Sequence, residues 1–264
     1  MRARVLCAWL AGVGLIAPLL AQSGRGCQND QAAEEMAKGA GAFKNAQYPL
    51  AVEHFRSAVE ADEGCTAARL FLATAYMQQY IPGADSPDNQ AMADAARGQF
   101  DKVLEQEPEN ELALASFASL CFHQKKFDEA TTWYKKLILL RPDNKEAFFT
   151  LGVMAWTRSL EPLRKGRQKL GMKPEDPGPI KDGAVRMELR AKYLPVVQEG
   201  LDDLDRAVAI DAEYDDAMVY LNLLYRAKAD LEDSPQGYRD DIARADIWVE
   251  KVTETRKVKA EREP

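Results

Sequence analysis

The stretch HQKKFDEATTWYKKLILLRPDN, residues 123–144, alternates small, apolar and charged residues at helical spacing and then stops at a proline. Its apolar positions form the pattern Ala130-x3-Tyr134-x2-Leu137-x4-Pro142, which predicts one face of an amphipathic helix closed by Pro142. The same pattern recurs 34 residues earlier as Ala96-x3-Phe100-x2-Val103-x4-Pro108. It recurs again as Ala51-x3-Phe55-x2-Ala58, with Glu63 where the proline would stand. Downstream, Gly200-x3-Leu204-x2-Ala207-x4-Ala212 fits, and Ala243-x3-Ile247 fits weakly. A second series runs ahead of the first: Gly39, Leu72-Ala73, Phe117-Ala118, Leu151-Gly152 and Leu221-Asn222. A small residue on one helix facing a small residue on the next lets two backbones approach closely, and the large residue four positions on fills the gap to the neighbouring unit.

These residues resemble the tetratricopeptide repeat, a helix–turn–helix unit of 34 residues. Phe127 and Tyr48, each three residues before the small residue of a second helix, sit where that family often has an aromatic at the turn. The resemblance spans roughly residues 30–252 and implies an all-α fold, a superhelix (α-solenoid) of helix–turn–helix units. Four to five repeats are expected at about 32–65, 66–110, 111–144, 145–214 and 215–252, within a domain of residues 24–252. The spacing between second-helix small residues stretches from 34 to 45, 70 and 43 at three places. The extra residues fall near 81–89, 158–197 and 232–238, each marked by Pro and Gly, and each between the two helices of a repeat. Residues 253–264 read as a charged tail that frays into disorder.

In this family the first helices line a concave groove, and their exposed positions meet ligands. The 34-residue register places Met36, Ala40 and Phe43, then Leu70, Thr74 and Met77, then Ala115, Ser119 and Phe122 on that surface. Phe149, Val153 and Trp156 follow, and finally Val219, Leu223 and Arg226. The resemblance therefore implies a protein or peptide partner, with Phe43, Met77, Phe122, Phe149 and Trp156 as the expected contacts. Family members that clamp a C-terminal carboxylate use Lys, Arg and Asn at such positions, and here Arg226 alone is of that kind. A surface this apolar either holds an amphipathic helix or extended peptide, or is covered by the chain's own long insertion or last helix.

Composition narrows the function further. The chain of 264 residues carries 35 Lys and Arg against 42 Asp and Glu, so it lacks the basic balance of a general nucleic-acid binder. Only two histidines occur, His54 and His123, and there is no phosphate-binding loop, nucleophile elbow or Cys/His pair at metal spacing. No catalytic residue, metal or cofactor is expected, and a non-catalytic scaffold or adaptor is the leading reading. The alternatives are a permanent structural subunit of an envelope assembly and an enzyme whose site is built on the insertions. Between Arg158 and Lys173 six cations face one acid, Glu161, so Arg164, Lys165 and Arg167 are candidates for contact with an anionic envelope component. The bland alternative is a solvated loop and helix end neutralised by nearby acids.

The first 23 residues have the form of a secretory signal: Arg2 and Arg4, the apolar run Val5–Leu20, then Pro18, Ala21 and Ser23 near the cut. Losing Arg2 and Arg4 takes the net charge from −7 to −9. An uncleaved membrane anchor is the alternative, and the run is somewhat short for it. A lipoprotein signal fits less well, because Gly24-Arg25-Gly26 precedes Cys27. Export, to a bacterial periplasm or cell envelope, makes the remaining cysteines informative. Cys27 and Cys65 each precede an expected helix start in consecutive units, so they could form a disulfide or remain free thiols. Cys121 falls on an apolar helix face and reads as a small core residue.

Overall fold

The computed structural model describes residues 26–262, and the expected signal peptide at 1–23 lies outside them. Among the described residues there are ten helices, which pair into five hairpins. They are α1 (Asp30–Lys44) with α2 (Tyr48–Ala61), α3 (Thr66–Gln79) with α4 (Pro87–Gln106), and α5 (Glu111–His123) with α6 (Phe127–Leu140). The last two pairs are α7 (Lys145–Lys169) with α8 (Gly183–Ile210), and α9 (Asp215–Asp230) with α10 (Pro235–Arg262). The chain divides into two compact units that meet between Trp133 and Tyr134, within α6.

Local chemistry places these boundaries. Asn29, Asn110 and Asn144 cap α1, α5 and α7, each side-chain oxygen accepting from a backbone N–H of the first turn. Two of them close the strings Pro108-Glu109-Asn110 and Pro142-Asp143-Asn144, so one short motif stops a hairpin and starts the next. The hairpin turns at Ala46 and Lys125 put a non-glycine residue in left-handed backbone, at φ of 57° and 59°.

In the first unit the repeat pattern is the core. Ala51, Phe55 and Ala58 of α2 and Ala96, Phe100 and Val103 of α4 are completely buried. A Cβ on Gly39 would stand 2.6 Å from the Phe55 ring, so α1 can meet α2 only because that side chain is missing. The small first-helix residue is therefore backed by the large residue of the second helix. Rings continue the packing: Phe55 stacks on Phe71 at 5.6 Å, Phe100 on Phe117 at 5.9 Å, and Phe117 on Trp133 at 5.0 Å. Arg97 lies 5.1 Å from the Phe117 ring and forks onto the carboxylate of Glu129.

The second unit repeats the device. A Cβ on Gly152 of α7 would come within 2.3 Å of Leu204 on α8, and one on Gly200 within 2.3 Å of Ala155. Leu204 and Ala207 are fully buried. The weak match in α10 does not pack as its pattern expects, since Ala243 is exposed and Ile247 is 50% exposed. The buried residues of α10 are Asp241, Ala245 and Val252, a face displaced by two residues, and Asn222 of α9 anchors it by donating to the Ala245 carbonyl at 2.8 Å.

The insertions differ from the loops that their Pro and Gly content suggests. Near 81–89 the chain makes a turn stapled by Asn89, which accepts from Ile81 N–H at 2.7 Å and donates to the carbonyls of Ile81 and Ala84 at 2.9 Å. The stretch 158–197 is mostly helix. Residues up to Lys169 extend α7, those from Gly183 extend α8, and only 170–182 form the connection. Pro162 and Pro195 lie inside these helices. The extension has a small core of Leu163, Ile180 and Leu231, with Leu189 seated where a Cβ on Gly166 would be. That core explains the helix: burying each such side chain contributes roughly 1.5–3 kcal/mol, which a solvated loop would forgo. At the far end, residues 253–262 continue α10 instead of fraying, with Arg256 and Lys259 both held on Asp215 at 2.7 and 2.6 Å.

Candidate functional site

The expected groove residues divide between the two units. In the first, Phe43 meets Tyr48 edge-on at 5.3 Å, Met77 sits partly exposed near the end of α3, and Phe122 contacts His123 and Phe127 at 5.6 and 6.1 Å. Two register positions assigned to the open surface are core instead: Met36 is 8% exposed and Leu70 only 1%. Residues 66–73 of α3 are buried without a break, so this part of the helix is enclosed on all sides and has no open stripe.

In the second unit Phe149 and Trp156 belong to an aromatic assembly. Phe149 contacts Tyr214 at 5.1 Å and Tyr220 at 5.5 Å, and Trp156 meets Tyr220 edge-on at 5.5 Å. All four rings are partly exposed and rest on the core formed by Ala155, Leu201, Leu221 and Leu224. Tyr214 and Tyr220 were absent from the sequence register, which pointed to Val219. The signal that finds Tyr220 is its place on the stripe Asp216, Tyr220, Leu223, parallel in order to Glu146, Phe149, Val153, Trp156 on α7.

Carboxylates surround these rings. Burial, then Glu146, Asp216, Asp211 and Asp215, drive the Tyr214 phenol well above its ordinary range. Burial and then Asp216 also raise the pKa of Tyr220. Both phenols stay protonated at neutral pH and can donate. A cation already uses the site: Lys145 Nζ lies 5.0 Å from the Tyr214 ring centre and 2.5 Å from an Asp211 oxygen. Glu146 and Asp216 have side chains 68% exposed, and their nearest bases stand 4.0 and 3.8 Å away.

The basic segment is less available than its composition suggests. Arg164 and Lys165 are exposed and share Glu161, at 2.7 and 3.6 Å. Arg167 turns inward: it binds Asp230 at 2.5 Å and donates to the carbonyls of Lys173 and Asp176, with its side chain only 12% exposed. It clamps the 170–182 connection onto the end of α9.

Cys27 and Cys65 are joined by a disulfide, with a Cα–Cα distance of 4.6 Å. Cys121 is free and buried, and burial pushes its thiol up to about 12, so it carries no thiolate at neutral pH. His54 bonds Glu35 at 2.7 Å, and burial lowers the pKa of His123. Among the described residues no cluster of His, Cys, Asp and Glu could hold a metal ion, and no helix is long and apolar enough to cross a membrane.

These hairpins and their small-on-large contacts define an all-α array of the tetratricopeptide type. The same fold is found in solved structures of MamA. One crystal structure of MamA matches with a TM-score of 0.59 at 15% identity, covering 89% of this chain and 97% of that one. MamA from Desulfovibrio magneticus RS-1, from residue 41 to its end, matches with a TM-score of 0.59 at 14% identity, covering 87% and 97%. At such identity the likeness establishes the fold. No family model matches the chain, and no curated protein matches its sequence.

Proposed function

We propose that the chain is a non-catalytic scaffold that binds a segment of another protein along the first helices of its hairpins. The observation that carries this reading is the assembly of Phe149, Tyr214, Tyr220 and Trp156, four partly exposed rings on α7 and α9 and the α8–α9 turn, backed by a closed core. Rigid aromatics bury large area at small entropic cost, which suits them to contact surfaces. Phe43, Met77 and Phe122 are the candidate contacts within the first unit, taken by itself. Work in an oxidising compartment after removal of the first 23 residues belongs to the same proposal, supported by the leader pattern and by the Cys27–Cys65 bond.

The test is an affinity capture from cell-envelope extract, comparing the wild type with a Phe122→Glu, Phe149→Glu double variant, both shown by circular dichroism to be folded. A partner held by the first and lost by the second supports groove binding. Equal retention overturns it. For export, the isolated protein should begin near Gln22 or Gly24, and a retained Met1 would count against it.

A further inference from the structure

The aromatic surface of the second unit also constrains the chemistry of what it binds. The stripe on α7 runs Glu146, Phe149, Val153, Trp156, and that on α9 runs Asp216, Tyr220, Leu223. Each begins with an exposed acid in the first helical turn and continues into partly exposed aromatic or apolar side chains. An acid in a first turn is favourable to the helix itself, which accounts for its presence there. It does not account for rings lying directly behind both acids. Aromatic faces carry negative potential and attract cations, and a carboxylate beside them strengthens that attraction. The fold demonstrates this with its own chain, since Lys145 stands over Tyr214 while paired with Asp211.

The whole chain is acidic, with a net charge of −7, so long-range attraction favours a positive partner. Glu146 and Asp216 are held only at long range by Lys145 at 4.0 Å and Arg256 at 3.8 Å, and their exposed side chains can take a closer cation, whereas an acidic segment would meet them with like charge.

Resting on the scaffold reading above, we infer that the aromatic face of α7 and α9 receives an arginine-bearing peptide segment, its guanidinium groups set against Tyr220 and Phe149 and paired with Asp216 and Glu146, the acids one helical turn before each ring. Arginine fits better than lysine here because a planar guanidinium both stacks on a ring and forks onto a carboxylate. Apolar residues between the arginines would lie on Val153 and Leu223.

The experiment uses three synthetic 12-residue peptides with the same leucine and glycine positions and with Arg, Gln or Glu at three others. Binding to the mature protein is followed by fluorescence anisotropy of a labelled peptide end. The Arg peptide should bind, the Gln peptide at least tenfold more weakly, and the Glu peptide not at all. A Glu146→Gln, Asp216→Asn variant should lose at least tenfold for the Arg peptide and nothing for the Gln peptide. Tyr220→Leu, which keeps an apolar side chain, should also weaken the Arg peptide. Equal binding of Arg and Gln peptides, both lost in Tyr220→Leu, overturns the cationic specificity while leaving groove binding in place. A partner captured from extract through Phe149 while the Arg peptide fails to bind likewise overturns this inference alone.

Discussion

Replacing Gly152 with alanine tests the close approach on which the second unit is built. In a solvated helix interior the change should stabilise, because alanine exceeds glycine by about 1 kcal/mol. Here the new Cβ would lie 2.3, 2.6 and 2.9 Å from three carbons of Leu204. Carbon pairs prefer about 3.5–4.0 Å, so Leu204 must move by about 1 Å or α7 must part from α8. Leu204 is completely buried and has no open side to move into. Overpacking of this kind costs about 1–3 kcal/mol, so after the helix gain of about 1 kcal/mol is subtracted Gly152→Ala should be net destabilising by up to about 2 kcal/mol. Gly98, in the middle of α4 with no neighbouring atom within 4 Å of its would-be Cβ, is the control. There the same substitution should stabilise by roughly 0.5–1 kcal/mol. Urea unfolding followed by far-ultraviolet circular dichroism reads both. A double variant with Leu204→Ala completes the cycle: removing the leucine should erase the penalty, so the pair should be less destabilised than the sum of the single changes by at least about 1 kcal/mol. If Gly152→Ala stabilises as Gly98→Ala does, the small-on-large contact is not what holds the hairpin.

Three further outcomes are expected. Reduction of the Cys27–Cys65 bond, which closes a separation of 38 residues, should destabilise the first unit by up to about 4 kcal/mol in the chain-entropy account, and unfolding that ignores reductant would refute this. Asp203 has its carboxyl pushed up to about 7, chiefly by burial, with Glu199 adding and Lys135 opposing. The folded state then holds a proton that the unfolded state releases near pH 4, so the penalty is absent at pH 3 and complete above pH 7. Asp203→Asn should therefore stabilise on the order of 1–2 kcal/mol at pH 8 and by nothing measurable at pH 3, and equal effects at both would refute the assignment. At the α5–α6 turn, Lys125 holds a φ of 59°, and Lys125→Gly should gain about 0.5 kcal/mol in thermal unfolding; a loss would argue against the left-handed turn.

The 34-residue period was legible because it records packing that the second helices of the first four hairpins repeat. Small residues at 51, 96, 130 and 200, with Phe55, Phe100, Tyr134 and Leu204 four positions on, are buried as the pattern requires. The reading failed where a hairpin departs from its neighbours. Residues 158–197 carry Pro162 and Pro195 and many charges, and local composition pointed to a loop. What makes them helical is Leu163, Ile180, Leu189 and Leu231, brought together from distant segments into a core that no local window contains. The same limit applied to the surface. A fixed register sent Met36 and Leu70 outward, whereas Met36 lies in the core under α1 and Leu70 in the stretch 66–73 of α3 that is buried without a break. It also chose Val219 over Tyr220, because a rotation of one residue about α9 is set by tertiary packing.

That rotation matters for function. With Val219 at the contact, Phe149 and Trp156 would be two separate apolar side chains on one helix. With Tyr220 between them, they join Tyr214 in one continuous surface spanning α7, the α8–α9 turn and α9. Its phenols keep their protons in reach of a partner, and Glu146 and Asp216 stand at its edge. A hairpin array needs only small and large residues in alternation to fold, and aliphatic side chains would meet that need here. Four aromatic rings left partly open beside exposed acids exceed it, and that excess is the structural argument for recognition.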